Sequence, residues 1–570
     1  MNMNDQISTN NSINEKSKYN VDSLFQKGLA AHQNGEWKIA ASFYKKIIEI
    51  DQLYSDAFHL LGIINSLEGQ NKEAIENIKK AIKISKKGIY FNSLGVAYLR
   101  IGKCRDAIKY LNVALKYDDR FADAYNNLGQ AQLIIGDSFE AMKNFQTSLQ
   151  IQSNVPQIIS NYLLCLNYVF LLSAEDIYKA HTQFDTLFKK QTKFKPSIQI
   201  KGENEKIRIA YVSSDFCQNS VSYFITPILK NHDLSKFEIY CYANVVQPDT
   251  ITQKLETYAS KWINTVHMTD DQMAEKIFQD KIDILVDLSG HFAGNRMAVF
   301  AKQPAPIQIT YLGYPNTTGL STIQYRLTDS IADPEEYDKF YSEKLIRMPK
   351  CFLCYQPQFK SPEVSSLPAL ENKYVTLGSF NNLAKVNSNL IKIWSEILCN
   401  LPDAKLILKA RPFLDNETSE YVIEKFMANG VKRNQIKCMG FLESIEGHLA
   451  AYHNVDLALD SFPYNGTTTT CDALWMGVPV ITKLGDCHAA RVSASILSCI
   501  GLNDFIATSD EDYILKTIQI CQNISILKQI RKNLRKIFMA SPIMNGKLFT
   551  KDLEKIYKRM WDQKIISREN

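Results

Sequence analysis

Small and apolar residues recur at fixed intervals through the N-terminal third of the chain. The apolar positions follow helical spacing, and three small residues keep the same register through four copies spaced by 33 or 34 residues. In each copy the first Gly allows two helices to approach closely, the second Gly supplies a turn, and the Ala lies where the second helix meets the next copy. The pattern therefore predicts stacked helix pairs over residues 21–152. The markers are Gly28, Gly62, Gly95 and Gly129, then Gly35, Gly69, Gly102 and Gly136, and Ala40, Ala74, Ala107 and Ala141.

This period resembles that of the tetratricopeptide repeat, which forms an α-solenoid. Stacked pairs of this kind bury a continuous core and leave a concave groove. Asn126 and Asn127 lie on the first helix of the fourth copy, where their amides could hold a peptide backbone by hydrogen bonds. We therefore expect the groove to bind a polypeptide acceptor. A scaffold role, or a homodimer formed through the repeats, is the alternative.

After the array the pattern changes from helical spacing to alternating strands and helices. Helical spacing without the Gly markers predicts a cap over residues 153–200, and a polar stretch at 193–205 predicts a linker. The strand-like runs that follow predict two α/β lobes with mostly parallel sheets, at residues 201–360 and 361–570. Ligands of such sheets lie beyond the carboxyl ends of the strands, so the loops there should carry the site. The clearest runs are 206–213, 237–242, 282–288, 307–312, 374–380 and 405–409.

The stretch LALDSFPYNGTTTTCDALWMGVPVIT, at residues 457–482, predicts a strand, a loop, a helix and a second strand. Its loop carries Gly466 and four consecutive threonines, 467–470, directly before the helical segment. Hydroxyls and unpaired N–H groups at a helix N-terminus favour a phosphate oxygen, so we interpret this stretch as a diphosphate site. A Ser/Thr-rich helix cap without a ligand is the alternative. No dinucleotide glycine fingerprint or Walker-type loop follows any strand, which argues against a nicotinamide or flavin cofactor.

Composition narrows the class of protein. The 570 residues exceed one core, and 45% apolar with 22% charged residues is ordinary globular composition. A net charge of +6 without a basic, aromatic-rich block argues against nucleic-acid binding. No apolar run is long enough to span a membrane, and 12 scattered cysteines fit a reducing compartment, so we expect a soluble, cytoplasmic protein. Residues 1–20 are predicted to be a disordered tail, not a signal peptide.

Several motifs together are specific enough to indicate a family. They are YVSSDF at 211–216, PAPIQITYLGYPNTTG at 304–319, GSFNNLAK at 378–385 and the stretch at 457–482. In this order they resemble the protein O-GlcNAc transferases, and most closely the SPINDLY branch, over nearly all of residues 21–565. The resemblance implies a GT-B glycosyltransferase with two Rossmann-like lobes and a nucleotide sugar in the cleft. It also implies inverting transfer to Ser or Thr hydroxyls of polypeptides, with neither a metal nor a cofactor.

The resemblance also assigns roles to residues. Lys385 matches the lysine that binds the donor diphosphate, and we expect its charge to stabilise the departing β-phosphate. Asp472 matches a carboxylate that binds the ribose diol, and His448 matches a histidine that packs against the base. The nucleotide-sugar site predicted in this way consists of Lys385, His448, Thr467, Thr468, Thr469 and Asp472.

Two positions depart from the commonest family pattern. Asn219 stands where many relatives carry a histidine, and an amide cannot accept a proton at neutral pH. Asp215 and His291, both at strand ends of the first lobe, are the alternative proton acceptors. Thr467 stands where the animal-type enzymes carry a histidine; the SPINDLY branch shares the threonine and includes protein O-fucosyltransferases. The donor is thus open between UDP-GlcNAc and GDP-fucose.

Two other functions remain open from the sequence. Asn219 motivates a catalytically impaired tetratricopeptide scaffold or adaptor. A transferase that acts on a lipid-linked or small-molecule glycan, with the repeats docking a partner, is the second.

Overall fold

The chain forms two compact units. The computed structural model describes residues 21–198, 202, 205–357, 361–442 and 444–569. The predicted tail at residues 1–20 lies outside the described residues, as do parts of the linker at 193–205. The first unit comprises the described residues up to Ile135 together with Lys143–Ser153, and the second comprises Gly136–Met142 and the described residues from Asn154 onward.

Eight helices follow the predicted repeats. The glycines between the helices of a pair have positive φ, as at Gly69 and Gly102 (both +79°), so each makes a turn that other residues adopt only under strain. The marker alanines are fully buried. The predicted helix pairs are therefore confirmed. The helices are α1 (21–33), α2 (Trp37–Ile50), α3 (Ser55–Leu67), α4 (Asn71–Ile84), α5 (Gly88–Arg100), α6 (Cys104–Tyr117), α7 (Ala122–Ile134) and α8 (Ser138–Ile151).

A helical segment precedes the first α/β lobe and is bonded to it. It consists of α9 (Pro156–Leu166), α10 (Ala174–Thr182) and a 3₁₀ turn at Gln183–Phe188. Asn167, which follows α9, donates to the Tyr314 hydroxyl at 3.1 Å and accepts from the Asn316 amide at 2.9 Å. This cap therefore reaches the loop that follows a strand of the first lobe.

The first lobe is a seven-stranded sheet in the order β3-β2-β1-β4-β5-β6-β7, and each neighbouring pair is parallel. Its strands are mostly buried, which matches their continuous apolar runs. The strands are β1 (Ile207–Ser213), β2 (Phe237–Ala243), β3 (Lys261–Asn264), β4 (Ile284–Asp287), β5 (Ile307–Thr310), β6 (Tyr325–Asp329) and β7 (Lys344–Met348), and the helices are α11 (Ser220–Asn231), α12 (Thr250–Glu256), α13 (Asp270–Gln279) and α14 (Met297–Ala301).

The second lobe is a six-stranded parallel sheet in the order β10-β9-β8-β11-β12-β13. Its strands are β8 (Thr376–Ser379), β9 (Lys405–Lys409), β10 (Ile436–Met439), β11 (Leu457–Leu459), β12 (Val480–Lys483) and β13 (Ile506–Ala507). Two parallel sheets with helices between their strands confirm the predicted fold class. The helices are α15 (Ala369–Asn372), α16 (Ser388–Asn400), α17 (Asn416–Met427), α18 (Ile445–Ala450), α19 (Thr468–Trp475), α20 (Val492–Cys499), α21 (Asp510–Gln522), α22 (Ile524–Met539) and α23 (Gly546–Glu569).

Helix α23 packs against α11 of the first lobe, although the sequence placed it with the second. The Glu554 carboxylate accepts from the Asp233 backbone N–H at 2.7 Å and lies 3.0 Å from His232 Nδ1. The Tyr557 and Tyr211 hydroxyls are 3.3 Å apart. The sequence predicted a C-terminal helix within residues 361–570, and no local pattern showed that this helix would cover the first lobe.

No helix in the described part of the chain is long and apolar enough to cross a membrane.

The close approach of paired helices in the array can be tested at Gly95. A Cβ at Gly95 would lie 2.6 Å from Leu111 Cγ, so Gly95→Ala should destabilise helices α5 and α6 by about 1–3 kcal/mol. The double variant with Leu111→Ala should lose less than the sum of the two single variants, because the added methyl enters the vacated space. Hydrogen–deuterium exchange of peptides from these two helices measures the loss.

The matched control is Gly102→Ala, at a turn with no atom within 4 Å of the added Cβ. It should cost only backbone strain, and its effect should add to that of Leu111→Ala. If the destabilising effects of Gly95→Ala and Leu111→Ala were additive, this would contradict the close contact between Gly95 and Leu111.

Candidate active site

Two loops of the second lobe meet where its strand order reverses. From β8 the chain proceeds outward through β9 and β10, then returns to place β11 on the other side of β8. The loops after β8 and β11 therefore diverge and leave a crevice at the carboxyl ends of these strands, which is the usual ligand site of such sheets. The loop after β8 carries Lys385, and the loop after β11 carries the threonines. The reversal in the first sheet falls between β1 and β4, and the loop after β1 carries Asp215 and Asn219.

The threonine loop leads into helix α19 without a side-chain cap. Thr467 occupies the N-cap position, but its side chain makes no capping hydrogen bond. The Thr468 hydroxyl is buried and has no hydrogen-bond partner among the described residues. Thr469 instead donates to the Asn381 side-chain carbonyl at 2.6 Å, which joins this loop to the loop after β8. The first N–H groups of α19 are thus left uncapped, as an anion site requires.

The Lys385 ammonium lies against the residues that precede this row of threonines. Its Nζ donates to the Asn465 backbone carbonyl at 2.7 Å and lies 4.0 Å from the centre of the Tyr464 ring. Burial lowers the pKa of Lys385 to about 8, against a smaller opposing effect of the Asp460 carboxylate. An ammonium has three N–H donors, so two N–H groups of Lys385 remain after the bond to the Asn465 carbonyl.

Asp472 and His448 form one hydrogen-bonded group with two residues that the sequence did not indicate. His448 Nε2 lies 3.3 Å from one Asp472 oxygen, and the Tyr355 hydroxyl donates to the other at 2.7 Å. Lys409 Nζ donates to His448 Nδ1 at 2.5 Å, which places the imidazole proton on Nε2, facing Asp472. Burial lowers the pKa of Lys409 to about 8.

A cleft of about 350 Å³ opens between residues of the two lobes. Four of the predicted donor residues line it: His448, Thr468, Thr469 and Asp472. Thr467 and Lys385 do not line it: Thr467 directly precedes the lining threonines, and Lys385 lies on the loop after β8. From the first lobe, Asn219 and Tyr223 face the cleft, and from the second Phe441 does, with 52% of its surface exposed.

The two candidate proton acceptors lie in different surroundings. Asp215 is partly exposed, and its carboxylate accepts from the Asn219 side-chain amide at 3.0 Å. Burial raises the pKa of Asp215 to about 6. His291 is fully buried, donating from Nε2 to the Thr318 carbonyl at 2.8 Å while Nδ1 lies 3.0 Å from the Ser160 hydroxyl. The structure therefore brings Asp215, and not His291, next to a cleft residue.

The predicted peptide-binding amides lie on α7 of the first unit. Asn127 donates from its side chain to the Asn92 side-chain carbonyl at 2.9 Å, across two successive repeats. Asn126 is half-buried beside it. The side chains of neighbouring repeats therefore contact each other here, and peptide binding by Asn126 and Asn127 stays a prediction.

Comparison with known proteins identifies the family. The model described as Glycosyl transferase family 41 matches residues 180–360 and 363–553, and the tetratricopeptide repeat model matches residues 55–87 and 122–155. The chain belongs to glycosyl transferase family 41. The resemblance inferred from the motifs is thereby confirmed.

Relatives of this family 41 chain include two plant proteins named as probable UDP-N-acetylglucosamine--peptide N-acetylglucosaminyltransferase SPINDLY. The Arabidopsis thaliana protein is 37% identical over 409 residues, 70% of this chain and 44% of the relative. The Oryza sativa subsp. japonica protein is 36% identical over 422 residues, which are 73% of this chain and 46% of the relative. This chain therefore spans less than half the length of these relatives. A mutant O-GlcNAc transferase of Thermobaculum terrenum superposes with a TM-score of 0.79 and 26% identity, over 97% of this chain and 99% of that one.

Three residues of this family 41 site escaped the sequence analysis, namely Tyr355, Lys409 and Tyr464. Lys409 is a charged residue at the carboxyl end of the buried run KLILK, and that position was a usable signal. Tyr355 ends the apolar segment CFLCY, whose two cysteines are buried. Tyr464 stands inside the loop that was already singled out, but no local pattern showed which side chain its ring would face.

The unpartnered hydroxyl of Thr468 can be tested against its partnered neighbour. Thr468→Val should leave the melting temperature unchanged and weaken UDP or GDP binding by about tenfold or more, because a hydrogen bond to a charged group contributes roughly 1.5–3 kcal/mol. Thr470→Val is the control, since the Thr470 hydroxyl lies 2.9 Å from that of Ser493. It should lower the melting temperature and leave affinity unchanged. Calorimetric titration and thermal melting separate the two effects; equal affinities for both variants would contradict the role of Thr468.

Proposed function

We propose that this chain transfers a sugar from a nucleoside diphosphate donor to Ser or Thr hydroxyls of polypeptides. One observation carries the proposal: Lys385 and the uncapped N-terminus of α19 stand on the two loops that flank the strand-order reversal of the second sheet. Membership of family 41 supports the reaction class. The names of the plant relatives support a peptide acceptor, and the match to the tetratricopeptide repeat supports a groove that binds one.

The reaction is a single displacement with inversion and without a metal. An acceptor oxygen attacks the anomeric carbon while the bond from that carbon to the β-phosphate oxygen breaks, and the electron pair leaves with the diphosphate. Negative charge grows on the leaving oxygen, where the Lys385 ammonium and the N–H and hydroxyl groups of the threonine loop stabilise it. Asp472 accepts from the ribose hydroxyls, and His448 lies against the base.

Asp215 takes the proton of the acceptor hydroxyl. With a pKa of about 6 its carboxylate is ionised at neutral pH, and the Asn219 amide holds one of its oxygens at 3.0 Å. In this arrangement Asn219 orients the base instead of acting as one, so the loss of a histidine there is compatible with turnover.

The donor is UDP-GlcNAc or GDP-fucose. The names of the plant relatives favour UDP-GlcNAc, whereas Thr467 favours the SPINDLY branch and with it GDP-fucose. Thermal melting with UDP and with GDP decides between them, because a ligand that binds only the folded state raises the melting temperature.

A second candidate function is that of an adaptor without activity, favoured by Asn219 at the cleft where a base could stand. Incubation of the purified protein with each donor, followed by mass spectrometry for a hexosamine or deoxyhexose on Ser or Thr, distinguishes the two. Binding of UDP or GDP without any labelling or donor hydrolysis would favour the adaptor.

Lys385→Met should lower turnover by at least about 100-fold, as expected when a group that stabilises the leaving charge is lost. Fold and melting temperature should be retained, because methionine fills most of the space of the lysine chain. Lys405→Met is the matched control, since Lys405 also lies over a tyrosine ring, at 4.1 Å from the Tyr374 centroid. Turnover by Lys385→Met at the level of the control would remove the assigned role.

The pH profile of kcat/KM should be bell-shaped. Activity needs ionised Asp215, so it rises as pH increases through about 6, and it needs protonated Lys385, so it falls as pH increases through about 8. Initial rates from pH 5 to pH 9.5 measure both limbs. Asp215→Asn should remove the acid limb and lower the plateau by about 100- to 10,000-fold, whereas an unchanged acid limb would assign the base elsewhere.

A further inference from the structure

We infer that Tyr464, whose ring packs against Tyr168 of the cap, is a positioning residue that holds the Lys385 ammonium beside the threonine loop through its ring face. The inference rests on the proposed function. It adds two aromatic residues to the groups that stabilise the leaving diphosphate, and one of them, Tyr168, lies outside both lobes. Tyr464 acts through Lys385 and need not touch the donor.

The contacts place a cation between a ring and a carbonyl. Lys385 Nζ lies 4.0 Å from the Tyr464 ring centre and 2.7 Å from the Asn465 carbonyl oxygen. The Tyr168 and Tyr464 rings are 4.9 Å apart with an interplanar angle of 43°. Tyr168 is 6% exposed and Tyr464 8%, so neither ring is free to turn toward solvent. A series of contacts therefore runs from the cap through the loop after β11 to the ammonium.

The platform under the ammonium is itself fixed. The Asn465 backbone N–H donates to the Ala489 carbonyl at 2.8 Å, and its side-chain amide donates to the Ser461 carbonyl at 2.8 Å. The Gly466 carbonyl accepts from the Ser493 hydroxyl at 2.9 Å. Because these bonds hold the backbone next to Tyr464, the ring and the carbonyl keep one geometry toward Lys385.

The ring matters because Asp460, the carboxylate whose charge acts on Lys385, already accepts hydrogen bonds from other groups. Asp460 and Tyr464 are the titratable groups that face the Lys385 ammonium among the described residues. Asp460 accepts from the Gly466 backbone N–H at 2.7 Å and the Thr482 hydroxyl at 2.6 Å. The negative face of an aromatic ring stabilises a desolvated cation, and this attraction opposes the effect of burial on the lysine pKa. Without the ring, a larger share of Lys385 would be uncharged near pH 8.

The first test needs no substrate. Trace acetylation of the purified full chain at pH values from 6 to 11, read by peptide mass spectrometry, gives the pH at which the Lys385 amine becomes half reactive. We expect about pH 8 for the wild type and a midpoint about one pH unit lower for Tyr464→Leu. Tyr464→Phe keeps the ring and should keep the midpoint.

A second set of variants tests the same effect in case Tyr464→Leu does not fold. Phenylalanine analogues carrying one, two and three ring fluorines at position 464 keep the shape of the ring while they withdraw its electron density. The Lys385 midpoint should fall stepwise along this series. Tyr168→Leu should lower it in the same direction by a smaller amount, because the Tyr464 ring then loses its support.

The second test uses turnover. If the midpoint falls by about one unit, from about 8 to about 7, then Tyr464→Leu should lose about fivefold in kcat/KM at pH 8 and almost nothing at pH 6, where both proteins carry a charged Lys385. Tyr374→Leu is the matched control, because it removes the ring under Lys405 and should leave both readouts unchanged.

The outcomes separate this inference from the proposed function. A Lys385 midpoint that is insensitive to Tyr464→Leu and to fluorination, or a loss of turnover that is equal at all pH values, would overturn the positioning role while the transferase activity stands. A midpoint that shifts as expected in a protein without any transfer or donor hydrolysis would support the positioning role and overturn the proposed function.

Discussion

A half-buried ammonium without a carboxylate bonded to it, that of Lys385, is the constraint on which the site in the second lobe depends. Desolvation of such a charge is costly, and the structure offsets it with a ring face and a backbone carbonyl, Tyr464 and Asn465. These neighbours leave the net positive charge of Lys385 uncancelled. An ion pair would stabilise the charge of this lysine in the free protein, and it would also make the lysine less able to attract an anion. The aromatic support is thus consistent with a site built for a negatively charged ligand.

The position of this charge follows from the topology of parallel sheets. Each strand of the second sheet delivers its loop to the same edge, and only at the reversal between β8 and β11 do adjacent loops separate. Lys385 follows the first of these strands and the threonines follow the second. The first sheet has its own reversal between β1 and β4, and the loop after β1 brings Asp215 and Asn219. The groups that we propose to attract an anion and to accept a proton therefore lie on two separate sheets.

Much of this arrangement could be predicted from the sequence, because it depends on local patterns. The bounds of β9 agree with those expected from its apolar run, and the repeat glycines marked the helix pairs. Roles that depend on distant partners could not be predicted. His291 looked like a candidate base at a strand end, yet its ring is enclosed by Ser160 and Thr318. The contact between Lys409 and His448 joins residues whose separate patterns reveal nothing of each other.

The return of helix α23 to the first lobe affects how the two lobes can move. The chain passes from the first lobe to the second between β7 and β8, and it passes back between α22 and α23, where Glu554 and Tyr557 attach the returning helix to α11. Two covalent crossings define an axis. Separation of the lobes by translation would stretch both crossings at once, so the motion that remains easy is a rotation about the line that joins them. A ligand that enters or leaves the cleft between the lobes would then use the same hinge.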